Sequence, residues 1–275
     1  MLNIVMPMAG RGKRFADAGF KDPKPLIPLH GRPMTEVVID NLRPSTPHRF
    51  IFLILREHAE QFAFDDHLRR WAPGCEVRFV EQVTEGAACT VLLARELIDD
   101  DEPLMIANCD QWVDIDIDDY LAAMEKPLIS SASPPTSDLR PLPPPAADGL
   151  IMTMWADDPK WSFVKFDEAG RVVEVVEKQV VSNEATVGIY NYRRGRDFVR
   201  AADAMIAKNF RVNNEFYVAP AYNELIAEGQ RIAVFNVGKE YAGMYGLGIP
   251  KDLEWFAASP VSRSEQITRG AKRKS

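Results

Sequence analysis

Apolar positions fall in short β-like runs separated by stretches of helical period through the first part of the chain. Leu2–Met8, Arg49–Leu55, Val77–Val80 and Leu104–Cys109 read as strands, and Met34–Leu42, Glu57–Trp71 and Ala87–Ile98 read as helices. Alternation of this kind predicts an α/β fold with a doubly wound, mostly parallel mixed sheet and right-handed crossovers.

After Asp119 the rhythm changes. Six of the 20 prolines lie between Ser130 and Gly149, and Pro141-Leu142-Pro143-Pro144-Pro145 can sit in neither sheet nor helix, which predicts a Pro-rich loop over 133–145. Its flanks, Pro127–Ser131 and Leu150–Trp155, read as strands, so the loop reads as an insertion within one fold. Trp161–Phe166 and Arg171–Val176 alternate around a Gly-containing turn and predict a β-hairpin. Thr186–Tyr192 and Arg231–Val237 read as further strands, Asp197–Lys208 and Tyr217–Glu228 as amphipathic helices, and Leu253–Phe256 as the start of a closing helix. The expected organisation is a single domain over 1–258, with halves at 1–119 and 120–258, and a basic, flexible tail over 259–275.

At 46% hydrophobic and 27% charged, the 275 residues carry enough apolar material for a large core. Net charge is −7 although the last stretch, from Arg263 to Ser275, holds five basic residues and one acid, so a nucleic-acid-coating surface is not expected. Cys75, Cys89 and Cys109 are odd in number and form no C-x-x-C pair, which excludes a disulfide framework and a structural zinc site and suits a cytoplasmic protein. The apolar start runs straight into a Gly-rich loop without a basic flank and reads as a first strand, not a leader. No run approaches the ~18 apolar residues of a membrane span.

The first strand empties into Ala9-Gly10-Arg11-Gly12-Lys13-Arg14-Phe15. Two glycines one residue apart let backbone N–H groups face an anion closely, and Arg11, Lys13 and Arg14 add positive charge. Phe15 stands where a dinucleotide fingerprint needs Gly or Ala, and no Gly-Lys-Ser/Thr ends the loop, so neither familiar nucleotide motif applies. An ordinary glycine turn remains the alternative. Downstream, Asp22-Pro23-Lys24-Pro25 restricts the backbone on both sides of Lys24 to extended conformations and delivers its ammonium from a stiff segment. Leu104–Asp110 is an apolar strand ending in a carboxylate, at the kind of strand end where open α/β sheets place ligand chemistry.

Taken together, Met8–Phe15, Pro23-Lys24-Pro25-Leu26 and Gly31-Arg32-Pro33-Met34 resemble the signature of sugar-1-phosphate nucleotidyltransferases, the nucleotide-sugar pyrophosphorylases. The resemblance extends to about Phe256 and implies a Rossmann-like nucleotidyltransferase fold whose second, hairpin-rich half binds the acceptor. It implies that Ala9 to Lys13 wrap an NTP, that Arg14 and Lys24 hold and polarise its phosphates, and that Asp110 anchors Mg²⁺. Such an ion suits one or two carboxylates with phosphate oxygens and water. Gln82 and the backbone of Gly86 match the base-reading segment. For the acceptor, Glu177 and Lys178 match an adjacent pair that meets sugar hydroxyls and phosphate, Gly188 leaves room for the ligand, and Glu215 matches the segment before the following helix. Asn214 stands where many relatives have Gly, and a helix-capping role for Asn213 or Asn214 is the structural alternative.

One departure stands out. Where many relatives hold the metal with a second Asp in Trp-x-Asp-x-Gly-Thr-Pro, this chain reads Met244-Tyr245-Gly246-Leu247-Gly248-Ile249-Pro250. The expected activity is condensation of an NTP with a sugar 1-phosphate to an NDP-sugar and pyrophosphate. A cytidylyltransferase for a phosphorylated non-sugar and a non-catalytic nucleotide-binding homologue stay open as alternatives. A glycosyltransferase fits less well, because Asp114-Ile115-Asp116 lies past the strand end. The expected partners are an NTP and a phosphorylated small-molecule acceptor, with no nucleic acid and no membrane, and a homo-oligomer left open.

Overall fold

The computed structural model describes residues 1–125, 146–264 and 267. The first half runs β1 (Leu2–Met8), α1 (Lys13–Asp17), the small hairpin β2 (Pro28–Leu29) and β3 (Arg32–Pro33), α2 (Met34–Asn41), β4 (His48–Leu55), α3 (Arg56–Phe62), α4 (Phe64–Trp71), β5 (Glu76–Val80), α5 (Ala87–Leu92), α6 (Arg95–Ile98), β6 (Leu104–Ala107), β7 (Gln111–Val113) and α7 (Ile117–Ala123). The second half adds β8 (Gly149–Trp155), β9 (Ser162–Phe166), β10 (Val172–Glu177), β11 (Glu184–Tyr192), α8 (Gly195–Ala207), α9 (Tyr222–Ala227), β12 (Ile232–Glu240), β13 (Gly243–Gly246) and α10 (Pro250–Ala258). The strand expected at 127–131 and the Pro-rich loop over 133–145 lie outside the described residues, as does most of the tail.

The main sheet is ordered β5-β4-β1-β6-β11-β8-β12-β13-β7, with the β9–β10 hairpin attached through β11. Along that path all strands except β11 and β7 point the same way, so the expected mixed, mostly parallel sheet is present. Period-two alternation in β1 explains its two faces. Ile4 and Met6 enter one core with Phe15, Phe52 and Trp112, while Val5 enters the other with Val91, Phe198 and Tyr222.

Several boundaries differ from the sequence reading. The helix expected over Glu57–Trp71 breaks at Ala63, a non-glycine residue in the left-handed region at φ 48°. Ala87–Ile98 likewise divides, because Leu93 and Ala94 bond back to the carbonyls of Thr90 and Val91. β6 ends at Ala107, so Asn108, Cys109 and Asp110 lie on the loop beyond it. Tyr217 and Val218 precede the helical segment, which opens as a 3₁₀ turn at Ala219–Ala221.

Candidate active site

β1 and β6 are parallel neighbours, with Val5 opposite Ile106, so the loops leaving them emerge together. Their ends form a cleft of about 210 Å³ lined by Met8, Gly10, Gly12, Lys24, Asn108 and Asp110. Gly12 adopts φ 61°, and a Cβ on it would lie 2.9 Å from the Lys24 Cβ, so the loop closes on the lysine segment only because residue 12 is glycine. Pro23 is extended as expected, but Lys24 itself opens a 3₁₀ turn over Lys24–Leu26, closed by Leu26 N–H donating to the Pro23 carbonyl at 2.8 Å.

The Lys24 Nζ sits 2.5 Å from Asp110 Oδ2. Burial by itself would push the ammonium's pKa down, but the Asp110 charge and hydrogen bond outweigh it and the net shift is upward. The Arg14 charge opposes that shift weakly. Arg11, Lys13 and Arg14 are exposed, and Arg11 leans to Glu57 at 3.7 Å. Cys109, buried beside the pair, has its thiol pushed up to about 11 by burial and stays protonated. All three cysteines are free.

Among the described residues no group of three His, Cys, Asp or Glu side chains could cage a metal. One carboxylate beside an open cleft fits a Mg²⁺ ion that arrives on phosphate oxygens and keeps its waters. The Gly246–Gly248 stretch packs over it: Leu247 N–H donates to the Asp110 carbonyl at 2.7 Å, and a Cβ on Gly248 would stand 2.7 Å from Asp110 Oδ2. A Cβ on Gly246 would instead face Asp252 Oδ2 at 3.3 Å, and Asp252 accepts from the Tyr241 hydroxyl at 2.9 Å.

Gln82 is exposed on the loop after β5. Gly86 adopts φ 133°, with its open side pressed to the Phe216 backbone, where a Cβ would come within 2.5 Å of Phe216 N. Phe216 N–H donates to the Glu85 carbonyl at 2.8 Å and Ala88 N–H to the Phe216 carbonyl at 3.1 Å, while Arg211 bonds Glu85 at 3.0 Å. The loop bearing Gln82 and Gly86 is thus stitched to the segment bearing Glu215.

In the second half, Glu177 has a side chain only 3% exposed, accepts from Ser162 Oγ and lies 3.8 Å from Lys178 Nζ. Burial pushes its pKa up, opposed by the Ser162 hydrogen bond and the Lys178 charge. Lys178 holds a left-handed φ of 56°, donates to the Lys160 carbonyl at 3.2 Å and has its Nζ 5.4 Å from the Tyr217 ring centre. Tyr217 in turn interacts with Glu215, so Glu177, Lys178, Glu215 and Tyr217 form one cluster.

A Cβ on Gly188 would stand 2.2 and 2.6 Å from Asn108 Nδ2 and Gln111 Oε1, so those side chains press against the glycine. Asn213 and Asn214 cap no helix. They are the two left-handed residues of a tight turn closed by Val212 and Glu215, a conformation asparagine tolerates best after glycine. Asn108 is the site residue the sequence reading missed. Its signal was its place in the Ala107-Asn108-Cys109-Asp110 strand exit.

The glycine loop after β1, the Lys24 turn and the Asp110 loop beyond the parallel neighbour β6 meet at one cleft of an α/β sheet. Residues 4–144 match the MobA-like NTP transferase domain, and the chain belongs to that family. It is 25% identical over 277 residues to the bifunctional protein GlmU of Cupriavidus necator, covering 98% of this chain and 53% of the relative. To GlmU of Burkholderia mallei it is 30% identical over 185 residues, covering 66% of this chain and 34% of the relative. The chain therefore spans about half the length, or less, of the curated relatives it matches. A nucleoside-diphosphate-sugar pyrophosphorylase from Vibrio cholerae RC9 shares the fold at TM-score 0.72 and 23% identity, covering 93% of this chain and 100% of the other. A UDP-glucose pyrophosphorylase solved with UDP-glucose shares it at TM-score 0.70 and 14% identity, covering 96% and 100%. No described helix is long and apolar enough to cross a membrane.

Proposed function

We propose that this NTP transferase is a cytoplasmic enzyme that condenses an NTP with a sugar 1-phosphate, giving an NDP-sugar and pyrophosphate. The activated sugar would serve as a donor for polysaccharide synthesis. The observation that carries the reading is the Lys24–Asp110 pair at 2.5 Å beside the Gly10–Gly12 loop, with Lys178, in a separate cluster with Glu177 and Tyr217, available for an acceptor phosphate.

An oxygen of the acceptor phosphate attacks the α-phosphorus, the bond from that phosphorus to the bridging oxygen breaks, and pyrophosphate leaves with the electron pair. No protein nucleophile is required. Backbone groups from Ala9 to Lys13 hold the phosphates, Arg14 and Lys24 stabilise the charge gathering on them, and Gln82 and Gly86 seat the base. Glu177 accepts from acceptor hydroxyls, Lys178 holds the acceptor phosphate, and Glu215 closes the same pocket. Gly188 contributes through Asn108, which it admits to the cleft wall. Asp110 would hold Mg²⁺, whose chemistry when bound is to neutralise phosphate charge.

The test is a pyrophosphate-release screen of four NTPs against phosphorylated sugars and phosphorylated alcohols with Mg²⁺. Release with sugar 1-phosphates supports the proposal. Release only with phospho-alcohols moves the acceptor to the non-sugar class, and NTP binding without release across the panel overturns catalysis.

A further inference from the structure

β10 is an edge strand whose only strand partner among the described residues is β9. At Val175 both outward backbone groups are nevertheless satisfied. Asn223 Oδ1 accepts from the Val175 N–H at 2.7 Å, and Asn223 Nδ2 donates to the Val175 carbonyl at 2.9 Å. One carboxamide thus supplies a rung of the strand that the edge lacks, with both donor and acceptor matched.

The place of that rung gives it significance. Side chains two apart on a strand share a face, so Val175, 1% exposed in the core, fixes the face from which Glu177 projects. Glu177 is paired in register with Ser162, the residue that hydrogen-bonds it, and Lys178 N–H then donates to the Trp161 carbonyl at 3.1 Å. Asn223 itself stands on α9, a few residues along the chain from Glu215 and Tyr217. Its carboxamide therefore ties the strand that ends in Glu177, just before Lys178, to the helix that follows the Glu215–Tyr217 segment.

We propose that Asn223 is a positioning residue for the acceptor: its carboxamide sets the reach of Glu177 and Lys178 toward Glu215 and Tyr217 without touching either substrate. This rests on the assignment of Glu177 and Lys178 to the acceptor. Asn223→Asp keeps the shape but turns the donor into an anionic oxygen facing the Val175 carbonyl, so the edge rung is lost on one side.

The experiment uses the full chain with glucose 1-phosphate as acceptor probe. Its affinity is read by calorimetry and, with the NTP that turns over, by steady-state kinetics; Lys178→Ala is carried in parallel. Asn223→Asp should raise the probe's Kd and KM about tenfold, change kcat less, leave NTP affinity within about twofold, and speed amide exchange at Val175. Asn223→Ser removes the same reach and carries the same expectations should the Asp variant not fold. If Lys178→Ala weakens the probe but neither Asn223 variant does, or if they weaken NTP equally, the positioning role is overturned while the acceptor assignment stands. If Lys178→Ala has no effect on the probe, the acceptor assignment falls and the role of Asn223 with it.

Discussion

Lys24 Nζ and Asp110 Oδ2 stand 2.5 Å apart in the cleft, so its lysine cation and the candidate metal anchor neutralise each other. In the proposed reaction an NTP with its ion would offer each a new partner: phosphate oxygens for Lys24 and the cation for Asp110. The exchange would keep both charges compensated in a partly buried site, which limits the desolvation cost of assembling the reactants.

Removing the lysine therefore costs twice, losing a phosphate contact and leaving Asp110 unpaired. Lys24→Ala should lower kcat/KM by a factor on the order of 10² or more. Steady-state assays on the folded variant check this, and unaltered turnover would remove Lys24 from the chemistry.

Asp110→Asn keeps the shape of the side chain and removes the charge that would hold the ion. Most activity should disappear, and the Mg²⁺ concentration giving half-maximal rate should rise, because the described residues hold no cluster of three ligating side chains to take over the ion. A Mg²⁺ titration at saturating NTP reads both effects. Full wild-type activity in EDTA would place the metal elsewhere or dispense with it.

Lys178 lies over Tyr217 and beside Glu177, in the cluster assigned to the acceptor. Lys178→Ala should raise the acceptor KM at least about tenfold with NTP affinity nearly intact. Calorimetry with NTP alone tests the separation, and an equal loss of NTP binding would put the lysine on the wrong ligand.

The first half was legible because each feature is local. Apolar runs mark β1 and β6, paired glycines mark the loop, and an acid marks the strand exit. What escaped depends on contacts distant in sequence. β7 and β13 are three- and four-residue strands with no pattern of their own, stabilised by pairing with each other. Nothing in the sequence around Gly188 reveals that Asn108 and Gln111 press against it. Ala63 carries no turn signature, so the break between α3 and α4 was invisible, whereas the hairpin of β9 and β10 announced itself through alternation and Gly170.

Stability should depend on pH through His58, which is 7% exposed on α3 with no partner for Nδ1 among the described groups. Burial pushes its pKa below the ordinary 6.5, opposed by Glu57. The unfolded chain then takes up a proton before the folded chain does, so stability is full above that ordinary value and falls as pH drops through the folded pKa. His58→Leu should flatten this part of the Tm–pH curve. Parallel curves for the two proteins would show that other groups set the acid limb.

The two glycines near Asp110 should separate by function. A methyl on Gly248 would come 2.7 Å from Asp110 Oδ2, too close to stay, so the carboxylate must shift from its place beside Lys24. Gly248→Ala should therefore lower kcat about tenfold or more and raise the Mg²⁺ concentration giving half-maximal rate, with little loss of Tm because the clash falls on the end of one side chain. Gly246→Ala meets only Asp252 Oδ2, at 3.3 Å, and should leave kcat near the wild-type value. Gly246→Asp would set a second carboxylate against Asp252, so like-charge repulsion should lower Tm without tightening Mg²⁺. Thermal unfolding and Mg²⁺ titration of the three variants decide it: tighter metal binding by Gly246→Asp would mean that residue 246 faces the ion after all, and an unaffected Gly248→Ala would mean that Asp110 has room to move without loss.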